Sequence, residues 1–161
     1  MKKYFIIHLT ASLLGIALLS TAYCQPIKSN INKIEFTFDS GGEYHSEGFG
    51  AWRIRLSDQK VTITHSIRGK ILLKSQHNLS LLENNKLWAL VENMDLPSLK
   101  SSAREKIPSE VTYTFFYKKN EKEYEISIWI NDASKIKEIK EFVLFVKKLI
   151  QTKTGKEPVI E

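Results

Sequence analysis

Ser40, His45 and the carboxylates Asp39, Glu43 and Glu47 all fall within FDSGGEYHSEGFGAW, residues 38–52, where the chain concentrates its reactive side chains. A hydroxyl, an imidazole and a carboxylate are the parts of a proton relay, in which the base takes the hydroxyl's proton and the acid holds the base in its tautomer. Such relays place their members on separate rigid elements, so that supporting contacts fix the geometry. Here they share one segment loosened by Gly41, Gly42, Gly48 and Gly50, and the chain therefore reads as a non-enzyme. Nor do the glycines form a phosphate cradle, because Ser40-Gly41-Gly42 leads neither into a glycine-lysine pair nor into a helix start.

Metal chemistry is equally poorly served. His45, His65 and His77 have no histidine or carboxylate partner at the three- or four-residue spacing of a helical zinc site, and Cys24 is the single cysteine. The expectation is no metal site and no cofactor. His65 reads instead as an aromatic packed on Trp52, and His77 as a loop residue.

What the stretch offers is a surface. Thirteen residues separate Phe38 from Trp52, against about two to five in an ordinary hairpin, and long connections in compact domains tend to be functional or disordered. Tyr44 and Phe49 favour some order over a solvated linker. The plainer alternative is that the glycines only serve turns with positive φ. The candidate binding residues are Asp39, Ser40, Gly41, Gly42, Glu43, Tyr44, His45 and Phe49.

Around this loop the pattern predicts strands. Ile34, Phe36 and Phe38 alternate with polar residues, the period of a half-buried strand. Trp52, Ile54 and Leu56 alternate with Arg53 and Arg55, and a turn at Asp58-Gln59 pairs them with His65, Ile63 and Val61, so apolar residues meet on one face. Gly69 permits a turn into a fourth strand over 71–76, whose facing the alternation does not define.

Two helices follow from caps and periodicity. Ser80 and Glu83 form a capping box, Leu87, Leu90, Val91 and Met94 recur at helical spacing, and Pro97 stops the helix, predicting 81–94. A polar link, 96–109, leads to a second hairpin that pairs Val111 with Ile130, Tyr113 with Ile128, Phe115 with Ile126 and Tyr117 with Tyr124. Its turn lies at Asn120-Glu121, which suits asparagine better than glutamate. Asn131 or Asp132 caps a last helix with the stripe Ile136, Ile139, Phe142, Val143, Val146, Leu149 and Ile150. Gly155 and Pro158 signal a frayed tail over 152–161.

The order ββββ-α-ββ-α predicts an α+β domain: one antiparallel sheet of about six strands with both helices on its apolar face. Arg53, Arg55, Thr62, Thr64, Thr112, Thr114 and Ser127 mark the other face as wet. Phe116 and Trp129 also fall there. Cover by the tail or another loop is the favoured account of these two aromatics, and a partner-binding patch the other.

The start, MKKYFIIHLTASLLGIALLSTAYCQ, reads as a secretory signal peptide over 1–24: Lys2 and Lys3, a short apolar run, then small residues. Cleavage fits after Ala22 or after Cys24. Lipidation at Cys24 is less favoured, because Tyr23 stands where a small residue is needed. A flexible leader, 25–32, and a single domain, 33–151, would follow. An exported chain without disulfides suits a bacterial periplasm or cell exterior. Loss of Lys2 and Lys3 takes the formal net charge from +6 to +4, too mild to point to nucleic acid. The membrane enters only through the signal peptide.

Taken together, these features resemble the emfourin family, small proteins that inhibit thermolysin-like metallopeptidases. The resemblance rests on Ser40-Gly41-Gly42 straight after the first strand and the helix after Leu79-Ser80 with Leu87, Leu90 and Val91. It also rests on Pro108 with Tyr113, the strand into Asn131-Asp132 and the final amphipathic helix. It covers about 34–150. Gly42 leads into Glu43-Tyr44-His45 and a longer loop than the family pattern has, and Pro108 is followed by Ser109-Glu110 instead of aspartate. The resemblance implies a protein partner, a metallopeptidase, engaged through the 39–51 loop with Asp39 or Glu43 near the peptidase's zinc. The alternative is a non-enzymatic module of the bacterial envelope that binds a protein or glycan through Tyr44, Phe49, Phe116 or Trp129.

Overall fold

The computed structural model describes residues 34–42, 50–105, 107 and 110–160. The signal peptide and leader, the loop residues Glu43, Tyr44, His45 and Phe49, and Pro108 lie outside the described residues. No helix among the described residues is long and apolar enough to cross a membrane.

The fold is α+β. Six strands, β1 (Glu35–Asp39), β2 (Ala51–Ser57), β3 (Lys60–Ile67), β4 (Lys70–Asn78), β5 (Thr112–Lys119) and β6 (Lys122–Trp129), form one antiparallel sheet. Their spatial order is β4-β3-β2-β1-β5-β6. The two hairpins pair as the alternation requires, Trp52 with His65 and Phe115 with Ile126. Joining them is β1, which pairs Phe38 with Ile54 on one side and with Phe115 on the other. Phe36 and Phe38 are both fully buried.

Helix α1 (Leu81–Asn93) starts at the Ser80 capping box, Ser80 Oγ accepting from the Glu83 N–H at 3.2 Å while Glu83 Oε2 accepts from the Ser80 N–H at 2.7 Å. Glu83 also binds Lys153 of the last helix at 2.9 Å. That hydrogen bond, and then the one from the Ser80 backbone, hold its carboxyl below the usual range. A short helix α2 (Ile130–Ala133) precedes the long α3 (Lys137–Thr154). Phe142 of α3 stands edge-on to Phe36, Phe38 and Phe115 at 5.5, 5.3 and 6.1 Å, so the last helix is keyed to the neighbouring strands β1 and β5. Leu87, Leu90 and Val91 of α1 join the same core.

Four expectations are corrected. Neither Asn131 nor Asp132 caps the long helix: it begins after Ile136 without a side-chain cap, because the Asp132 carboxylate is taken by Ser102 Oγ at 2.8 Å and Arg104 Nε at 3.1 Å. The tail does not fray at Thr152. Gly155, at φ 68°, ends α3, and the chain beyond it buries Ile160, whose carbonyl accepts from Lys147 Nζ at 3.1 Å. Third, His77 belongs to β4 and not to a loop. The fourth concerns β4 itself, which runs beyond 71–76 at both ends. Its facing was illegible because the register shifts between His65 and Ser66: Leu73 faces His65, Ile71 faces Ser66, and Leu72 is the extra residue.

The link before β5 also does more than connect. Ser102 N–H donates to the Ser127 carbonyl at 3.0 Å, Ser127 N–H to Ser101 Oγ at 3.0 Å, and Trp129 N–H to Ser102 Oγ at 3.1 Å. These bonds strap the outer edge of β6. The strap is anchored by Arg104, whose guanidinium forks onto the carboxylate of Glu110, a side chain only 2% exposed. Arg104, and after it the backbone N–H groups of Asn131 and Ile107, bring the Glu110 pKa down to about 2.

Glu110 therefore contributes stability above its ordinary pKa, and that contribution is lost as pH falls from about 4.5 toward about 2. Glu110→Gln lowers the melting temperature at pH 7 and flattens its acid dependence over that window, measured by thermal denaturation at a series of pH values. In the β5–β6 turn both Asn120 and Glu121 have positive φ, 51° and 67°, which glutamate adopts at a cost. Glu121→Gly stabilises the fold by about 0.5–1 kcal/mol in denaturant titration.

Candidate functional site

The base of the 39–51 loop is built by four strands. Ser40 continues the β1–β2 ladder by one residue, donating its N–H to the Trp52 carbonyl at 2.9 Å, while its own Oγ accepts the Trp52 N–H at 2.9 Å. The side-chain oxygen thus takes the place of a backbone acceptor. Ser40 is 2% exposed, so its hydroxyl is committed to closing the ladder.

Three glycines seal this base. Gly41, at φ 51°, packs so closely on the Thr112 carbonyl oxygen that any Cβ there would overlap it. A Cβ on Gly42 would lie 2.5 Å from the Gly50 carbonyl oxygen. Gly50, at φ 101°, lies against the Ser66 carbonyl and the Ile67 side chain. The glycines at the base are there for close backbone approach, not slack.

Asp39 completes the base. Its Oδ1 accepts the Gly41 N–H at 2.9 Å, and its Oδ2 accepts from Arg53 Nε at 2.8 Å and Nη2 at 2.6 Å. The side chain of Asp39 is 16% exposed and that of Arg53 59%. The carboxylate is neutralised by a neighbour and holds the turn, so within the described residues Asp39, Ser40, Gly41 and Gly42 are brought together as a support. Sequence reasoning missed Arg53, which it placed on the wet face without a partner. The register sets Arg53 opposite Asp39, and no local sequence signal reveals that pairing.

Trp52 and His65 stack below this base with ring centroids 4.3 Å apart and planes 9° apart, as their register suggested. Among the described residues no group of three or more histidines, cysteines and carboxylates could hold a metal ion.

The open face of the sheet forms a broad concavity beside the loop base. One row crosses all six strands, Gln76, Thr62, Arg55, Thr37, Phe116 and Glu125. Glu35 accepts from Arg55 at 3.1 Å. Phe116 is 39% exposed. Trp129, by contrast, is covered: its indole N–H donates to the Arg104 carbonyl at 3.2 Å beneath the strap. The loop over it is the strap at Arg104.

Fold and site together define a class: a small α+β domain with one helix-backed antiparallel sheet and a braced loop base. No protein-family model matches the chain and no curated protein matches it.

The base generates a test. Ser40→Ala strands the buried Trp52 N–H and costs about 1–3 kcal/mol. Gly41→Ala, which must move the Thr112 backbone, costs about 2–3 kcal/mol. Both are read by urea denaturation, and equal stability to the parent would show the base to be loose.

Proposed function

We propose that this is an exported, non-catalytic binding protein that presents its 39–51 loop to a partner protein, and that the partner is a thermolysin-like metallopeptidase. The carrying observation is the braced base: Ser40, Gly41, Gly42 and Gly50 are locked by backbone contacts from β2, β3 and β5. A loop held at both feet loses less conformational entropy on binding, which favours affinity. The burial of Ser40 supports a structural job for the hydroxyl over a nucleophilic one. The choice of peptidase rests on the emfourin resemblance.

Asp39 is already engaged by Arg53, which turns the zinc-directed role toward Glu43. A carboxylate oxygen from Glu43 would occupy the open position of the peptidase's zinc and displace its hydrolytic water. Tyr44, His45 and Phe49 would supply contact area around it. One observation favours the second reading, an envelope module binding a protein or glycan: Phe116 stands exposed on the polar concavity.

Titration of a thermolysin-like peptidase with the purified protein discriminates these readings. Stoichiometric inhibition is expected, abolished when 41–50 is shortened to a tight turn, weakened at least tenfold by Glu43→Gln and unchanged by Phe116→Ala. If the parent protein leaves the peptidase fully active, the peptidase assignment fails. If Phe116→Ala alone releases inhibition, the open face and not the loop is the contact.

A further inference from the structure

The two outer edges of the sheet are treated differently. The chain's own strap covers the last residues of β6, Ser127 to Trp129, through Ser101 and Ser102. At the other end β4 is nine residues long, about 30 Å of strand. Among the described residues no element pairs with its outer side. The one added contact is at its last residue, where Lys153 Nζ reaches the Asn78 carbonyl at 3.4 Å. A free strand edge offers a row of backbone donors and acceptors to any extended segment.

Side chains along β4 narrow the choice of segment. Ile71 and Leu72 are 55% and 52% exposed, because the register shift pushes Leu72 out of the ladder. Lys70 and Lys74 flank them. Between Ala51 and Asn78 the only acid is Asp58, in the β2–β3 turn; Arg53 and Arg55 are balanced by Asp39 and Glu35 of β1, and Lys60, Arg68, Lys70 and Lys74 add further positive charge. Acids gather at the far end of the sheet, in Glu121, Glu123 and Glu125. The β4 side is thus one-signed.

We propose that β4 is a docking edge for an extended acidic segment of a partner protein, which adds to the sheet as a seventh strand. Backbone hydrogen bonds to β4 supply the common part of the affinity. The register shift puts Lys74 and Ile71 on the open face and Lys70 on the opposite one, so the incoming strand offers a carboxylate on each of its faces, one to Lys74 and one to Lys70, and its apolar side chains cover Ile71 and Leu72. A second copy of this chain is the poorer occupant, since it would bring one basic edge against another, and like charges across a strand pair are unfavourable. This surface is separate from the loop, and the inference stands independently of the peptidase reading.

Two nine-residue probes test it: a valine-rich peptide with glutamates at two positions an odd number of residues apart, so that one points to each face, and a counterpart with lysine at the same positions. Binding is followed by fluorescence anisotropy and by amide hydrogen exchange of the purified protein. The acidic probe is expected to bind at least tenfold tighter than the basic one, more weakly at high salt, and to slow exchange along β4. The double variant Lys70→Glu with Lys74→Glu, exposed positions that leave the core untouched, is expected to reverse the preference. Absence of binding, an unchanged preference in the variant, or protection that maps away from β4 would overturn the proposal. So would dimerisation of the parent protein with β4 protected in the dimer.

Discussion

The position of β1 is the constraint on which the rest of the structure depends. This five-residue strand is hydrogen-bonded on both flanks, and its two phenylalanines lie at the centre of the core. Without it the β2–β3–β4 and β5–β6 groups would be separate ribbons, and small isolated hairpins are marginal in water. With it they become one sheet, broad enough for Phe142 to seat α3 across the seam. Such aromatic side chains bury about 150–250 Å² each and dominate the energetics of a core.

The same constraint explains the loop base. Because β1 is central, the chain leaving it at Ser40 emerges between neighbours on both sides, Thr112 of β5 and the Gly50 region that packs on β3. An edge strand would leave one side of that exit open to water. Here the backbone is enclosed, and only glycine fits. The Asp39–Arg53 pair adds a polar clamp on the open face, of modest energetic weight because Arg53 is largely exposed.

The two sheet edges show how the fold handles unpaired backbone. At the end of β6, serine hydroxyls and one backbone amide satisfy the outward groups of Ser127 and Trp129, and the Arg104–Glu110 pair fixes the strap that carries them. Lysines and a register shift are the devices on β4. Lysines and bulges discourage self-association while leaving the edge physically accessible to a complementary strand.

Much of this was legible from residue order alone. The alternation of Trp52, Ile54 and Leu56 with arginines, and its mirror in Val61 and Ile63, specifies a hairpin because side chains of a strand repeat every two residues and a slip would bury charge. The Ser80–Glu83 cap and the stripe of α3 are equally local, since their partners lie within one or two helical turns. Two sequence readings failed for the same physical reason. Asp132 looked like a helix cap and Gly155 like the start of a frayed tail, because the groups that claim them, Ser102 with Arg104 and the core around Ile160, are remote in sequence. Only tertiary structure decided that β1 pairs with β5, that Arg53 meets Asp39 and that the loop glycines are enclosed. Each of those contacts joins segments whose proximity no local periodicity encodes; it follows from the single arrangement that buries both faces of the apolar core together.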